Sequence, residues 1–215
     1  MRLMTRSLMA AAFALLISVP AAAATITFVD LGTAAPPASL GGQAVTPFGD
    51  DATADFTGVT SVASPLGGSV GFDITMDKRT VGSSWATWSH GYTGDVYYSG
   101  GATSVTMTLP TGTTAFYFYG EPNPFAIHTF TAIATDGTVF TSSGPLPVDG
   151  SAGARGFGFY TGDGAIASIS FSGTSDFAVG EFGIASVPEP ATLLLLGSGL
   201  LAGAARRRRS RKNAI

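Results

Sequence analysis

Short runs of alternating apolar and polar residues dominate the middle of the chain. They are Ser69–Met76, Ser104–Leu109, Thr114–Tyr119, Ile127–Ala134, Gly156–Tyr160, Ala165–Phe171 and Phe177–Ile184. A period of two, with β-branched and aromatic residues, predicts strands, and Asp136-Gly137 between two runs predicts a hairpin turn. About eight to eleven strands predict an all-β fold, an antiparallel β-sandwich or jelly roll, because a flat open sheet would leave a large apolar face in water.

The first 24 residues have the pattern of a secretory signal peptide. Arg2 and Arg6 precede an uncharged apolar stretch of 12 residues, Leu8–Val19, and Ala22–Ala24 supplies a small-residue cleavage site. Such a stretch is too short for an ordinary membrane-spanning helix. We therefore predict cleavage after Ala24, with the Sec machinery and signal peptidase as partners. An uncleaved N-terminal anchor is the alternative.

The C-terminal part combines three features between residues 187 and 212. Pro188-Glu189-Pro190 precedes an uncharged segment, 191–205, and then a basic tail, 206–212, that begins with Arg206, Arg207, Arg208 and Arg209. A helix over 190–205 would span roughly 24 Å of a bilayer core that is about 30 Å thick, so it needs local thinning or snorkelling arginines. The arginines mark the cytoplasmic end of this predicted transmembrane helix.

These three parts, in this order, resemble the PEP-CTERM sorting signal, with the motif on Pro188, Glu189 and Pro190. In that family an exosortase, a membrane-embedded transpeptidase-like enzyme, recognises the signal. The resemblance implies processing near the motif, with loss of the helix and tail. It also implies a Gram-negative bacterium, an inner-membrane-anchored intermediate with its domain outside the cytoplasm, and a final place at the cell surface or in the extracellular matrix. An ordinary tail anchor is the alternative.

Between the two signals, residues 25–186 form the predicted extracytoplasmic domain. Three of its segments are similar to the cargo domain of many PEP-CTERM proteins: Trp88–Gly101, Thr113–Phe125 and Gly156–Ala185. The last segment also resembles the closing strands of galactose-binding-type jelly rolls. The resemblance implies a galactose-binding-like sandwich flanked by the signal helix and the transmembrane helix.

The charge of this domain restricts its partners. Residues 25–186 contain three basic and 13 acidic residues, a net charge of −10, which argues against nucleic acid. The chain has no cysteine, which excludes disulfides, thiolate metal sites and a cysteine nucleophile. Carboxylates are ligands for Ca²⁺, so Asp163, Asp176 and Glu181 are candidates for a structural calcium site, although their spacing matches no known calcium loop. No other cofactor is expected.

Aromatic side chains cluster between residues 85 and 98, where both tryptophans lie. Exposed aromatic rings stack on sugar faces, so Trp85, Trp88 and Tyr92 are candidates for glycan binding. The competing interpretation is core packing, the commoner use of large aromatic residues.

The catalytic patterns in the chain are weak. Gly67–Gly71 matches G-x-S-x-G, but that motif needs a following helix, and none is predicted. His90 and His128 are interpreted as a loop and a sheet histidine, and no carboxylate pair stands out as glycosidases require. We therefore predict a non-enzymatic exported surface or matrix protein, a module associated with exopolysaccharide or biofilm. The alternatives are a secreted polysaccharide-active hydrolase and a structural matrix protein without a ligand.

Overall fold

The computed structural model describes residues 25–187. The predicted signal peptide, the Pro188–Pro190 motif, the predicted transmembrane helix and the basic tail lie outside the described residues. Within 25–187 there is no helix long and apolar enough to cross a membrane.

Residues 25–187 contain fifteen strands and no helix. They are β1 (Ile26–Gly32), β2 (Ser39–Leu40), β3 (Gln43–Ala44), β4 (Thr46–Pro47), β5 (Gly58–Ala63), β6 (Ser69–Thr80), β7 (Asp95–Tyr98), β8 (Ser104–Thr108), β9 (Thr113–Pro122), β10 (Ile127–Thr135), β11 (Phe140–Ser142), β12 (Leu146–Asp149), β13 (Arg155–Thr161), β14 (Ser168–Gly173) and β15 (Phe177–Ser186).

Thirteen of these strands form one sheet, in the order β1-β13-β9-β15-β7-β6-β8-β14-β10-β11, with β4, β5 and β12 joined at its sides. Every named strand pair is antiparallel. The two ends of the sheet meet, since the Thr141 hydroxyl on β11 donates to the Ile26 carbonyl on β1 at 3.0 Å. The sheet is therefore folded over until it almost closes.

The folded sheet encloses one aromatic core. Phe118 on β9 and Phe157 on β13 each lie 5.2 Å, between ring centroids, from Phe171 on β14, although β14 is far from both along the sheet. Phe171 also stacks on Phe130 of β10 at 5.0 Å. Two layers thus face each other across these rings, which confirms the predicted all-β antiparallel sandwich.

The central strand β9 is covered on both faces, and all ten of its residues are buried. Phe116 and Phe118 point into the aromatic core. Tyr117, Tyr119 and Glu121 alternate with them and point to the opposite face. Because the Glu121 carboxyl on this outer face is fully buried, another part of the chain must cover the face.

A β-bulge on β15 redirects one acidic side chain to the same outer face. Gly180 pairs with Tyr119 and Gly183 with Tyr117, so two residues of β15, Glu181 and Phe182, lie opposite one residue of β9. The extra residue lets Phe182 fill the core while Glu181 points outward, with a backbone φ of 51°.

The seven predicted runs all fall on strands, with β14 beginning at Ser168 rather than Ala165. The predicted hairpin joins β10 and β11. The two-residue turn expected at Asp136-Gly137 is instead a loop of four residues, in which the Asp136 carboxylate accepts from the amides of Thr138 and Val139. The strand number exceeds the prediction because several strands have only two to four residues, too short for alternation to reveal.

Candidate functional site

The outer face of β9 and β15 is covered by the loop of residues 81–94, which connects β6 to β7. Its side chains Trp85, Trp88 and Tyr92 pack against a small apolar cluster of Val81, Val96 and Ala178. This aromatic packing brings the loop down onto the two outward carboxyls of the neighbouring strands.

Glu121 fixes the first half of the loop. Trp85 Nε1 donates to one of its carboxyl oxygens at 2.6 Å, and the Thr87 hydroxyl donates to the other at 2.9 Å. The Glu121 side chain is fully buried. Burial raises the pKa of Glu121 to about 7, even though both hydrogen bonds favour the charged form and lower it.

Glu181 fixes the second half of the loop. Trp88 Nε1 donates to one oxygen at 2.9 Å, and His90 Nε2 lies 2.7 Å from the other. His90 Nδ1 lies 3.2 Å from the Thr33 carbonyl, so the ring bridges the backbone of residue 33 and the Glu181 carboxyl. His90 has a left-handed backbone, with a φ of 43°. Burial raises the pKa of Glu181, against the lowering effect of His90 and Trp88.

An open cleft of about 250 Å³ lies beside the first half of this loop. Its aromatic wall is formed by Trp85 and Tyr98, whose ring centroids are 5.7 Å apart and tilted by 39°. Phe125, which is 66% exposed, lines the cleft as well. The cleft therefore offers aromatic surface that the aromatic core does not use.

Polar groups stand beside these rings. The Tyr98 hydroxyl and the Asn123 amide both donate to Asp176, at 2.7 and 3.0 Å. The Asn123 side-chain carbonyl accepts no hydrogen bond within residues 25–187 and so remains open to a ligand. The hydrogen bond to Asp176 raises the pKa of Tyr98 to about 12.

One cation lines the cleft. The Arg79 guanidinium carbon lies 4.0 Å from the centroid of the Phe56 ring and 5.5 Å from that of Tyr98. Arg79 also forms an ion pair with Asp77 at 3.2 Å. Its charge is thus balanced within the protein, and its position is fixed by two rings.

The three predicted glycan-binding residues do not form one site. Trp85 lines the cleft, whereas Trp88 is hydrogen-bonded to Glu181 and packs on Tyr92 at 6.2 Å between ring centroids. The Tyr92 hydroxyl donates to the carbonyl of Asp95, the first residue of β7. All three rings pack against the small apolar cluster, and of the three only Trp85 also lines the cleft, so glycan binding by them stays a prediction.

The cleft contains Tyr98, which belongs to the aromatic cluster between residues 85 and 98, and three residues that the sequence did not single out for chemistry, namely Arg79, Asn123 and Phe125. Arg79 lies in β6, and the alternation of that strand does not indicate a function for it. Phe125 follows a Pro-rich turn, a pattern that indicates only a loop. A signal was available in the Asn-Pro-Phe order, since a large apolar residue at the tip of a polar turn has no core to enter.

The three carboxylates predicted to hold calcium have separate partners. Asp163 accepts from the Thr25 amide at 2.9 Å, Asp176 accepts from Tyr98, and Glu181 accepts from Trp88. Within residues 25–187 no group of three or more His, Cys, Asp or Glu side chains is placed to hold a metal ion. The structure does not bring the predicted ligands together.

The weak catalytic patterns have structural places. Gly67 and Gly68 have positive φ angles and form the turn between β5 and β6, and no helix follows. His128 Nδ1 lies 3.2 Å from the Thr174 hydroxyl on the side of the sheet, and His90 contacts Glu181.

The described residues define an all-β sandwich protein whose outer face carries a loop fixed by two carboxyls. The chain matches the PEP-CTERM protein-sorting motif over residues 186–209. The chain thus carries a PEP-CTERM sorting signal, and this signal implies an exported protein that an exosortase processes, with a C-terminal membrane anchor before processing. The match covers the sorting signal alone and leaves the role of the cleft open. Comparison with curated proteins gave no match.

Proposed function

We propose that this protein is a non-catalytic module of the extracellular matrix that binds a sugar unit of exopolysaccharide in the cleft of Trp85 and Tyr98. The observation that carries the proposal is the pair of tilted rings, flanked by the open carbonyl of Asn123 and by exposed Phe125. Sugar rings have apolar faces and polar edges, so rings beside hydrogen-bonding groups are a suitable surface for them.

The size of the cleft supports a short ligand. A volume of about 250 Å³ is at the low end for small-molecule sites, which suits one sugar unit rather than a long stretch of chain. A polysaccharide repeats its units, so weak sites on many copies of the protein can act together along one polymer.

The charges around the cleft favour a neutral sugar. Arg79 is already paired with Asp77, and Asp176 lies behind Tyr98 and Asn123. The net charge of −10 over residues 25–186 repels polyanions at low ionic strength.

The position of Glu121 supports binding over hydrolysis. A carboxyl with a pKa of about 7 has the property of a general acid. However, Glu121 is fully buried, and both of its oxygens are occupied by Trp85 and Thr87. It holds the aromatic wall in place and does not face the cleft. A hydrolase remains the rival proposal.

The test is a glycan array probed with the full chain in detergent, with Phe125→Ala and Phe140→Ala as a matched pair. Both phenylalanines are similarly exposed, at 66% and 70%, but only Phe125 lines the cleft. We expect binding to neutral glycans that Phe125→Ala weakens several-fold and Phe140→Ala leaves unchanged. Equal binding by both variants would contradict the site, and cleavage of a glycan would favour the hydrolase.

A further inference from the structure

A second cavity, of about 260 Å³, lies beyond the other half of the 81–94 loop. It is enclosed between the end of β4, the start of β7 and the bulge on β15, and its rings belong mainly to the core. The residues that matter for its chemistry are Phe48, Tyr92, Asp95, Tyr117, Glu181 and Phe182.

Tyr117 gives this cavity an unused polar group. The residue is only 3% exposed, yet its hydroxyl makes no hydrogen bond within residues 25–187. Its neighbours on the same face are all satisfied, since Tyr119 donates to the Ala34 carbonyl and Tyr92 to the Asp95 carbonyl. The hydroxyl oxygen itself is not sealed off, because solvent reaches it through the cavity, so it is free to bond to a water molecule or a ligand.

The structure makes room for this hydroxyl. Gly183 pairs with Tyr117 across β15 and β9, and a Cβ atom at position 183 would overlap the end of the Tyr117 ring. The bulge beside it directs Glu181 to the same face with a left-handed backbone, a conformation that costs free energy for a residue other than glycine. Both features place polar atoms at one cavity wall.

The charges at the cavity are negative. Glu181 and Asp95 line it, and none of its lining residues is Lys or Arg. Lys78 pairs with Asp95 at 2.8 Å but also with Asp55 at 2.9 Å, so one negative charge of this group is left over. Outside the cavity lining, His90 Nε2 lies 2.7 Å from one Glu181 oxygen. Burial raises the pKa of Tyr92, and the nearby charges of Glu181, Asp95 and Asp50 raise it further.

From this geometry we propose that the second cavity binds a small primary ammonium group. Its N–H donors would bond to the Tyr117 hydroxyl and to a remaining lone pair of the Glu181 carboxylate, whose oxygens also contact Trp88 and His90. Its carbon chain would pack on Phe48 and Phe182. A cation next to aromatic faces and carboxylates gains both cation–π and Coulomb stabilisation. The proposal does not depend on sugar binding in the cleft.

The test is calorimetric titration of the full chain in detergent with n-butylammonium chloride, beside n-butanol as a neutral ligand of nearly the same size. We expect the ammonium to bind and the alcohol to show no heat. Tyr117→Phe and Glu181→Gln should each weaken ammonium binding by about tenfold, the lower range for a hydrogen bond to a charged group. Tyr160→Phe also removes a hydroxyl that makes no hydrogen bond within residues 25–187, but Tyr160 does not line the cavity. It is the matched control and should bind as the parent chain does.

Equal affinity for butanol and butylammonium, or an unchanged affinity in Tyr117→Phe, overturns the proposal. Sodium chloride at the same ionic strength separates a specific site from general screening. Tyr117→Phe keeps the ring and removes only an unpaired hydroxyl, so it decides the matter even if Glu181→Gln lowers the melting temperature.

Discussion

Two glutamates, each bonded to one tryptophan, determine how the 81–94 loop sits on the sheet. Glu121 accepts from Trp85 and Glu181 accepts from Trp88, so both indole N–H groups of the described chain point inward to carboxyls. An indole donates only, and a carboxylate accepts only, so the pairs fix the orientation of both rings. The exposed faces of the tryptophans are therefore a consequence of buried polar contacts.

The contribution of one such contact can be measured with an isosteric pair. Thr87→Val removes the hydroxyl donor to Glu121, while Thr93→Val alters an exposed residue of the same loop that makes no hydrogen bond within residues 25–187. We expect Thr87→Val to lower the free energy of unfolding by about 1–2 kcal/mol, because a buried carboxyl loses a donor. Urea denaturation measures it, and equal stability of the two variants would contradict the role given to Glu121.

A glycine pair tests the close approach at Tyr117. A Cβ at Gly183 would overlap the Tyr117 ring, whereas a Cβ at Gly162 meets no atom within 4 Å. We expect Gly183→Ala to lower the free energy of unfolding by about 1–3 kcal/mol, the usual cost of overpacking, and Gly162→Ala to change it little. Thermal unfolding followed by circular dichroism compares the two, and a stable Gly183→Ala variant would show that the ring can move aside.

At the scale of elements, β9 and β15 contribute both to the aromatic core and to the attachment of the 81–94 loop. Their inward residues build the aromatic core, and their outward residues hold the loop that forms one side of each cavity. The bulge on β15 allows both roles, because it points the Phe182 side chain into the core and the Glu181 side chain toward the loop. Changes in either strand are therefore expected to affect packing and site together.

The attachment of the loop to β9 should depend on pH. The pKa of Glu121 is raised from 4.5 to about 7, so the folded protein favours the protonated form. Its stabilising effect is complete below about pH 4.5 and is lost as the pH rises through about 7. The free energy of unfolding should fall between pH 5 and pH 7, by roughly 1–3 kcal/mol from this group.

Glu121→Gln keeps the shape of the side chain and cannot titrate, so it should flatten this part of the pH profile. Glu181, whose pKa is also raised, contributes in the same direction and leaves a residual slope. Asp30, Asp51 and Asp55 have lowered pKa values, so their effects appear only at more acidic pH. Urea denaturation of the parent chain and Glu121→Gln at several pH values tests this prediction. If the free energy of unfolding of both proteins changes with pH in parallel, the raised pKa does not belong to Glu121.

The sequence predicts the elements better than their contacts. Alternation located β6, β8, β9, β10 and β15, because half-buried strands need one apolar residue in two. It could not place Glu121, since a glutamate before Pro122 reads as a solvated turn residue, yet β9 extends to Pro122 and loop 81–94 covers it. The bulge at Glu181 was equally hidden, because an extra residue becomes visible only when the partner strand is known.

At the scale of the whole molecule, the sheet almost closes on itself. The contact between Thr141 and Ile26 brings the two terminal strands of the sheet together, which leaves little free edge for pairing with other chains. Four ion pairs with aspartates engage all three basic residues between positions 25 and 186, since Lys78 contacts two of them. The net charge that remains on residues 25–186 is negative, which opposes non-specific association between molecules.

The sorting signal gives a prediction for the intact chain. Glu189→Ala changes the motif on Pro188–Pro190, within the matched residues 186–209. We expect the variant to keep its C-terminal helix and tail, so that it runs as a larger, membrane-bound species on an immunoblot, as the parent chain does in a strain without exosortase. Normal processing of Glu189→Ala would show that recognition does not depend on this carboxylate.

The most direct test of the account is affinity electrophoresis of the processed protein in native gels that contain the purified extracellular polysaccharide of the producing bacterium. The parent protein and Phe140→Ala should be retarded by the polysaccharide, and Phe125→Ala should migrate faster than both. If all three proteins migrate at the same rate with and without polysaccharide, the cleft of Trp85 and Tyr98 does not bind the matrix, and the central proposal is contradicted.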